Sequence, residues 1–190
     1  MRIIAGEHRG RRLLGPATDA TRPITDRIKQ RIFDRLDAAG QIAHAEVLDV
    51  FAGTGSFGLE ALSRGASHVH FFERDRSAVK RLRENIAAID ADDRSTIVDA
   101  DVFAHFATHR LPRPADLVFF DPPYPMVTGD ADRLRRLLEV LAPQLSNDGE
   151  IHFRHDARDT PDVGNLPVLG LKDYGSMALT YIGRPGGSTP

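Results

Sequence analysis

Four acids lie at or just past the ends of apolar runs: Asp49 within 47–51, Glu73 after 68–72, Asp101 shortly after 95–98, and Asp121 after 115–120. Two stretches beside them have unusual backbone chemistry. Gly53, Gly55 and Gly58 follow Asp49 in G-x-G-x-x-G spacing, and Asp121-Pro122-Pro123-Tyr124-Pro125 places three prolines in four positions. Glycines at such a turn let the chain bend sharply and let a ligand approach the main chain. Prolines stiffen a loop and remove backbone donors. Acids, an open turn and a rigid loop suit binding and positioning rather than covalent or metal chemistry.

The glycine spacing alone is shared by structural turns without a ligand. Two functional readings compete. A dinucleotide would set its pyrophosphate on the following helix N-terminus. S-adenosylmethionine has no phosphate, and Asp49, four residues before Gly53, suits its cationic groups while repelling a pyrophosphate. Glu73, 20 residues past Gly53, can accept hydrogen bonds from ribose hydroxyls in either cofactor. Asp101 can accept an adenine amino group, or cap a helix, or do both.

The Asp121 loop alone could simply terminate a strand. Its chemical reading concerns an exocyclic nucleobase amine, whose lone pair is delocalised into the ring. A carboxylate and a carbonyl, each accepting one N–H, hold such a nitrogen with its lone pair aimed at an electrophile. Asp121 and the Pro122 carbonyl have those roles, with Pro122 and Pro123 fixing the carbonyl direction. Tyr124 is expected to stack on an extruded base, worth about 1–3 kcal/mol. Asp121 can also take the proton as the new C–N bond forms.

Alternating elements must position these groups. Strands are predicted near 46–52, 68–73, 95–98, 115–120 and 149–154, with helices near 56–64, 76–90, 102–109 and 130–146. Ser56 is expected to cap the first of these helices. Residues 167–171 and 177–182 form a last strand pair. This is an α/β sheet, with ligands at the carboxyl ends of its strands. Ahead of it, residues 2–5 and 11–14 read as a β-hairpin with a basic tip. A helix runs from Thr25 to about Ala38, with Ile28, Ile32 and Leu36 on one face and Arg27, Lys29, Arg31 and Arg35 on the others. Residues 1–40 therefore read as a basic N-terminal extension, 41–183 as the sheet domain, and 184–190 as a disordered tail.

Composition narrows the classes. At 190 residues, with 41% hydrophobic and 27% charged residues, the chain suits one globular domain. No apolar run approaches a membrane span. There is no Cys, hence no disulfide or thiolate metal site. The eight His show no metal spacing; His68 and His70 alternate on a strand, and His152 and His155 are expected at the surface or an edge. Met1 to Glu7 is too polar for a signal peptide, which predicts a cytoplasmic protein. Net charge is −2, but residues 1–36 carry nine Lys/Arg against four acids, a surplus of five that leaves −7 elsewhere. A basic arm on an acidic body fits either a phosphate backbone or a solvated face.

The sequence resembles the bacterial methyltransferases that modify a guanine N2 in small-subunit (16S) ribosomal RNA. The resemblance covers nearly the whole chain. It includes Arg2-Ile3-Ile4-Ala5-Gly6 with Arg9-Gly10-Arg11, Arg22-Pro23-Ile24-Thr25-Asp26-Arg27, Asp49 to Gly55 running into Gly58 to Ala66, Asp121-Pro122-Pro123-Tyr124, and Lys172-Asp173-Tyr174-Gly175. It implies a class I, Rossmann-like methyltransferase sheet of seven strands with the last antiparallel, and S-adenosylmethionine contacts at Asp49, Phe51, Gly53, Thr54, Gly55, Glu73, Arg74, Asp101, Val102 and Asp121. It implies catalysis at Asp121, Pro122 and Tyr124, and RNA or base contacts at Arg9, Arg11, Arg12, Arg22, Thr25, Asp26, Pro123 and Tyr124. The implied partner is 16S ribosomal RNA or the assembling small subunit, with a monomeric enzyme, no metal and no membrane. Two departures stand out: Ile24 where the family usually has Thr, and Arg154-His155 where it commonly has an acid. Neither is expected to touch the methyl-transfer geometry. The same pocket chemistry would serve a DNA adenine N6 amine. An NAD-dependent enzyme and a catalytically inactive RNA-binding assembly factor are further alternatives.

Overall fold

The computed structural model describes residues 1–16 and 24–187. Its centre is β1 (Glu46–Val50), flanked by β2 (His68–Glu73) and β4 (Ala115–Phe120), with β3 (Ser95–Asp99) outside β2 and β5 (Leu145–Asp156) outside β4. These five run parallel. Beyond β5 lie β7 (Met177–Gly183) and then β6 (Val168–Tyr174), giving the order β3-β2-β1-β4-β5-β7-β6. β7 pairs antiparallel with both neighbours, so it alone opposes the rest. This is the expected seven-stranded class I methyltransferase sheet.

The period-two alternation of strand side chains divides the core between two faces. Val47, Val69, Phe71, Leu117 and Phe119 pack on one side. Against them lie α1 (Asp26–Ala38), α2 (Ser56–Ser63) and α3 (Arg76–Ala87), through Phe33, Leu36, Leu59, Leu62, Leu82 and Ile86. Leu48, Val50, Phe72, Val118 and Phe120 face α4 (Val102–Thr108), α5 (Tyr124–Gly129) and α6 (Ala131–Leu141). A strand buried on both faces reads as a continuous apolar run. That is why β2 and β4 match their predicted bounds to the residue.

Several expectations need correction. The N-terminal hairpin has no strands: one isolated bridge, Arg2 to Arg12, and the hydrogen bonds Ile3 N to Arg11 O and Gly10 N to Ile3 O close a loop. Ser56 does not cap α2; Gly55 holds the cap position at φ +87, with no side-chain cap bond. The loop after β4 is shorter than expected, because α5 begins at Tyr124. Pro125 sits in its first turn, where a missing N–H costs nothing. The helix predicted at 130–146 ends at Leu141, followed by a 3₁₀ turn over Ala142–Gln144. His152 and His155 are 2% and 1% exposed, not surface residues. They sit on β5, which is an interior strand because β7 lies outside it. Lys29 is 2% exposed and points inward instead of joining a basic face. Of the predicted tail, 188–190 lies outside the described residues, while 184–187 forms a turn held by Gly187 N to Arg184 O and by Arg184 to Asn147.

Candidate active site

The carboxyl ends of β1, β2 and β4 bring Asp49, Glu73 and Asp121 to one edge of the sheet. Asp121 extends the pairing of β4 with β1, its N–H donating to Val50 O at 3.2 Å. Just past β1 the chain reverses through Phe51, at φ +64, and Gly53, at φ +56. Glu73 ties that turn to β2: one carboxylate oxygen accepts Gly53 N at 2.8 Å and the other accepts the N–H groups of Arg74 and Asp75, each at 2.8 Å.

The three glycines have different reasons to be glycine. A Cβ on Gly53 would meet nothing within 4 Å, so its side of the turn is open. A Cβ on Gly55 would lie 2.6 Å from Leu82, and one on Gly58 2.3 Å from the Phe71 ring. Gly58 therefore lets α2 sit directly on β2. The G-x-G-x-x-G spacing combines one open position with two packing positions.

Asp49 forms the floor of this edge. It is 1% exposed, and one carboxylate oxygen accepts Gly58 N at 2.8 Å, taking the N–H at the start of α2 that Ser56 was expected to satisfy. Burial pushes its carboxyl up to about 8; the Gly58 N–H opposes this, and the Asp121 and Glu73 carboxylates push it further up. Both of those carboxylates therefore lie close enough to Asp49 to act on it. Thr54 is buried, its carbonyl accepting Asn85 Nδ2 at 3.0 Å. Phe51 packs between the rings of Phe103 and Phe120.

Asp101 caps α4, accepting Phe103 N at 2.9 Å and Ala104 N at 3.3 Å. Burial opposes its ionisation, but those N–H groups, with Arg133 and Arg74, hold its carboxyl below the ordinary range. Arg74 Nη1 donates to it at 2.8 Å. Arg133 lies 3.5 Å from it and spreads over the Phe103 ring, with Cζ 3.9 Å from the centroid. Val102 is buried in the core behind. Sequence reasoning did not single out Arg133 or Phe103.

After β4, Pro122 is buried, Pro123 exposed, and the Tyr124 side chain half-buried. The group missing from the expected pocket is Arg154. Its Nη1 lies 2.5 Å from Asp121 Oδ2, its Nη2 donates to Tyr124 Oη at 3.1 Å, and its Cζ lies 5.2 Å from the Tyr124 ring centroid. The departure at 154 therefore touches Asp121 and Tyr124, the two side chains it was expected to stand apart from. The signal was legible: β4 and β5 are parallel and Phe120 is level with Phe153, so Asp121 and Arg154 are the next pair along. Burial pushes the Asp121 carboxyl up while Arg154 pulls it back.

The predicted RNA-facing residues divide. Arg9, Arg11 and Arg12 are exposed on the N-terminal loop, and among the described residues their guanidinium groups make no ion pair. Thr25 is the N-cap of α1, accepting Ile28 N at 3.4 Å. Asp26 pairs with Arg2 at 2.6 Å. Arg22 lies outside the described residues. Some of the basic surplus is structural: Lys29 pairs with Glu60 at 3.2 Å, and Arg31 and Arg35 lie over the Tyr174 and Tyr181 rings.

The sequence matches the family described as "Conserved hypothetical protein 95" over residues 1–183. A Bacillus subtilis protein named "Putative rRNA methyltransferase YlbH" is 33% identical over 98% of this chain and 100% of its own. "Ribosomal RNA small subunit methyltransferase D" of Escherichia coli is 39% identical, over 65% of this chain and 60% of its own. The solved structure of "Putative methyltransferase yhhF from Escherichia coli" superposes with a TM-score of 0.80 at 31% identity, covering 97% of each chain. The chain belongs to the conserved hypothetical protein 95 family, the family of small-subunit ribosomal RNA methyltransferase D that its motifs resembled.

Proposed function

We propose that this protein transfers a methyl group from S-adenosylmethionine to the exocyclic N2 amine of a guanine in 16S ribosomal RNA. The observation that carries this reading is the convergence of Asp49, Glu73 and Asp121 on one edge beside an open glycine turn. The donor set fits the cofactor. Three carboxylates facing one space favour a cation, Glu73 stands where ribose hydroxyls need an acceptor, and Gly53 leaves room for close approach. Asp101, Arg133 and Phe103 form a polar and flat-sided subsite suited to an adenine. When bound, S-adenosylmethionine supplies an electrophilic methyl on its sulfonium.

The chain's own residues do the rest by positioning. Asp121 accepts one N–H of the target amine and the Pro122 carbonyl the other, which turns the nitrogen lone pair out of conjugation. Burial raises the Asp121 carboxyl, and Arg154 opposes that rise. The base leaves its stack to reach this pocket, where Tyr124 offers a ring face and Pro123 a wall. Arg9, Arg11 and Arg12 provide salt-dependent phosphate contacts, joined by Arg22; Thr25 and Asp26 sit at the start of α1 beside the same arm. The relatives named for ribosomal RNA methylation support RNA over DNA as substrate.

The test is mass mapping of methylated nucleotides in 16S ribosomal RNA from cells lacking this protein. One N2-methylguanosine should disappear and return with the wild-type chain but not with Asp121→Ala. An unchanged methylguanosine map would reject the proposal.

A further inference from the structure

We propose that Arg154 is a specificity-determining residue, which reads the unprotonated ring nitrogen beside the target amine. The inference rests on the guanine-N2 reading above and deepens it. Asp121 and Arg154 end adjacent parallel strands and touch each other, so the pocket presents an acceptor and a donor side by side. The matching edge of a base is an amine next to a ring nitrogen with a free lone pair. Guanine offers that edge only on one side of its N2: N3 is an acceptor, whereas N1 carries a hydrogen. A guanidinium has five donors and no acceptor, so it cannot pair with N1–H. The base therefore meets the pair through its N2–N3 edge, Asp121 taking the amine and Arg154 donating to N3.

Arg154 holds the Asp121 carboxylate and the Tyr124 hydroxyl, and its guanidinium lies beside the ring on which the base would stack. The side chain is 11% exposed, so little water competes for its donors. An entering base takes the stacking face and one carboxylate lone pair, and returns a ring nitrogen to the guanidinium. A base with no acceptor at that position sets an apolar edge against a largely buried guanidinium donor.

The experiment uses the full chain, labelled S-adenosylmethionine and a synthetic segment of 16S ribosomal RNA carrying the mapped target as guanine or as 3-deazaguanine. The wild type should lose about 10- to 100-fold in kcat/KM on 3-deazaguanine, the range for a hydrogen bond to a charged group. Arg154→Met should lose a similar factor on guanine and nothing further on 3-deazaguanine, with Arg154→Lys between the two. Cofactor affinity by calorimetry should stay within about threefold across the variants. Equal wild-type rates on the two bases would overturn the inference without any variant having to fold. So would an Arg154→Met enzyme that still discriminates fully between them. Absence of wild-type methylation on the guanine segment would overturn the underlying function instead, and that reaction alone separates the two failures.

Discussion

Two buried acids meet α2, Glu60 from within it and Asp49 at its first turn, and they are neutralised to different degrees. Glu60, 0% exposed, accepts Ile4 N at 2.8 Å, Ala5 N at 3.0 Å and Arg64 Nε at 2.9 Å, and lies 3.2 Å from Lys29 Nζ. Lys29 also donates to Arg2 O at 2.8 Å, and Arg64 reaches Asp37 and Asp34. One carboxylate thus binds the N-terminal loop, α1 and α2 together with its valences filled. The edge above β1 has the opposite balance. Asp121 is paired with Arg154 and Glu73 accepts three backbone N–H groups, but the deepest acid, Asp49, is met by a single backbone N–H among the described residues and is pushed up by both neighbouring carboxylates. A satisfied buried network rigidifies, whereas an unsatisfied one stores a demand for a ligand. The contrast separates the part of the chain that holds the fold from the part that binds.

Substitutions should respect that division. Asp121→Asn should lower kcat by about 10²–10⁴-fold, in the range expected when a positioned acid–base group is lost. Its thermal midpoint should fall, because Arg154 loses its counter-charge, and its cofactor affinity should fall by much less than kcat, read by scanning calorimetry and titration. Near-normal turnover would remove Asp121 from the chemistry. Glu60→Ala should act the other way, costing about 3–5 kcal/mol in urea unfolding because Lys29 is left buried without its counter-charge. The folded fraction should keep its kcat, so a pure activity defect would contradict the assignment of this hub to structure.

Asp49 gives a pH test. Its carboxyl is raised to about 8 in the folded chain, so between about pH 4 and 8 the folded state binds more protons than the unfolded. Stability of the cofactor-free protein should therefore fall as pH rises through that window, with a slope of up to about 1.4 kcal/mol per pH unit from this group. Asp49→Asn should flatten the decline, and an unchanged slope would mean that Asp49 is ionised in the folded state. The smallest effects separate the glycines. Gly53→Ala should cost about 1–2 kcal/mol for its left-handed backbone and weaken cofactor binding. Gly58→Ala should cost about 1–3 kcal/mol by pressing on Phe71. It should leave affinity less affected than stability.

Most of the parallel sheet was legible because burial on both faces writes a nearly continuous apolar run, as at 115–120, where only Asp116 breaks it. The acids were legible because each ends such a run. What the sequence hid depended on neighbours in space. His152 and His155 read as peripheral because nothing in their own strand announces that β7 inserts outside it. Inside, His155 Nε2 meets Thr180 and His152 Nε2 meets Glu150, and burial holds His152 below the usual imidazole range. Lys29 read as one more exposed cation because its partner is 31 residues away. α5 was hidden by its prolines, which mark both a helix start and a loop. Arg154 was visible as a departure, but its effect required the register between β4 and β5.

The central claim, that buried Asp49 at the β1 edge is built to ionise against a cationic cofactor, is tested most directly by proton release. S-adenosylmethionine is titrated into the wild type and Asp49→Asn at about pH 7 in buffers of different ionisation enthalpy. The wild type should release a fraction of a proton approaching one as Asp49 ionises against the cofactor, and the variant should release measurably less and bind more weakly. Equal affinity and equal proton release in the two proteins would contradict the claim.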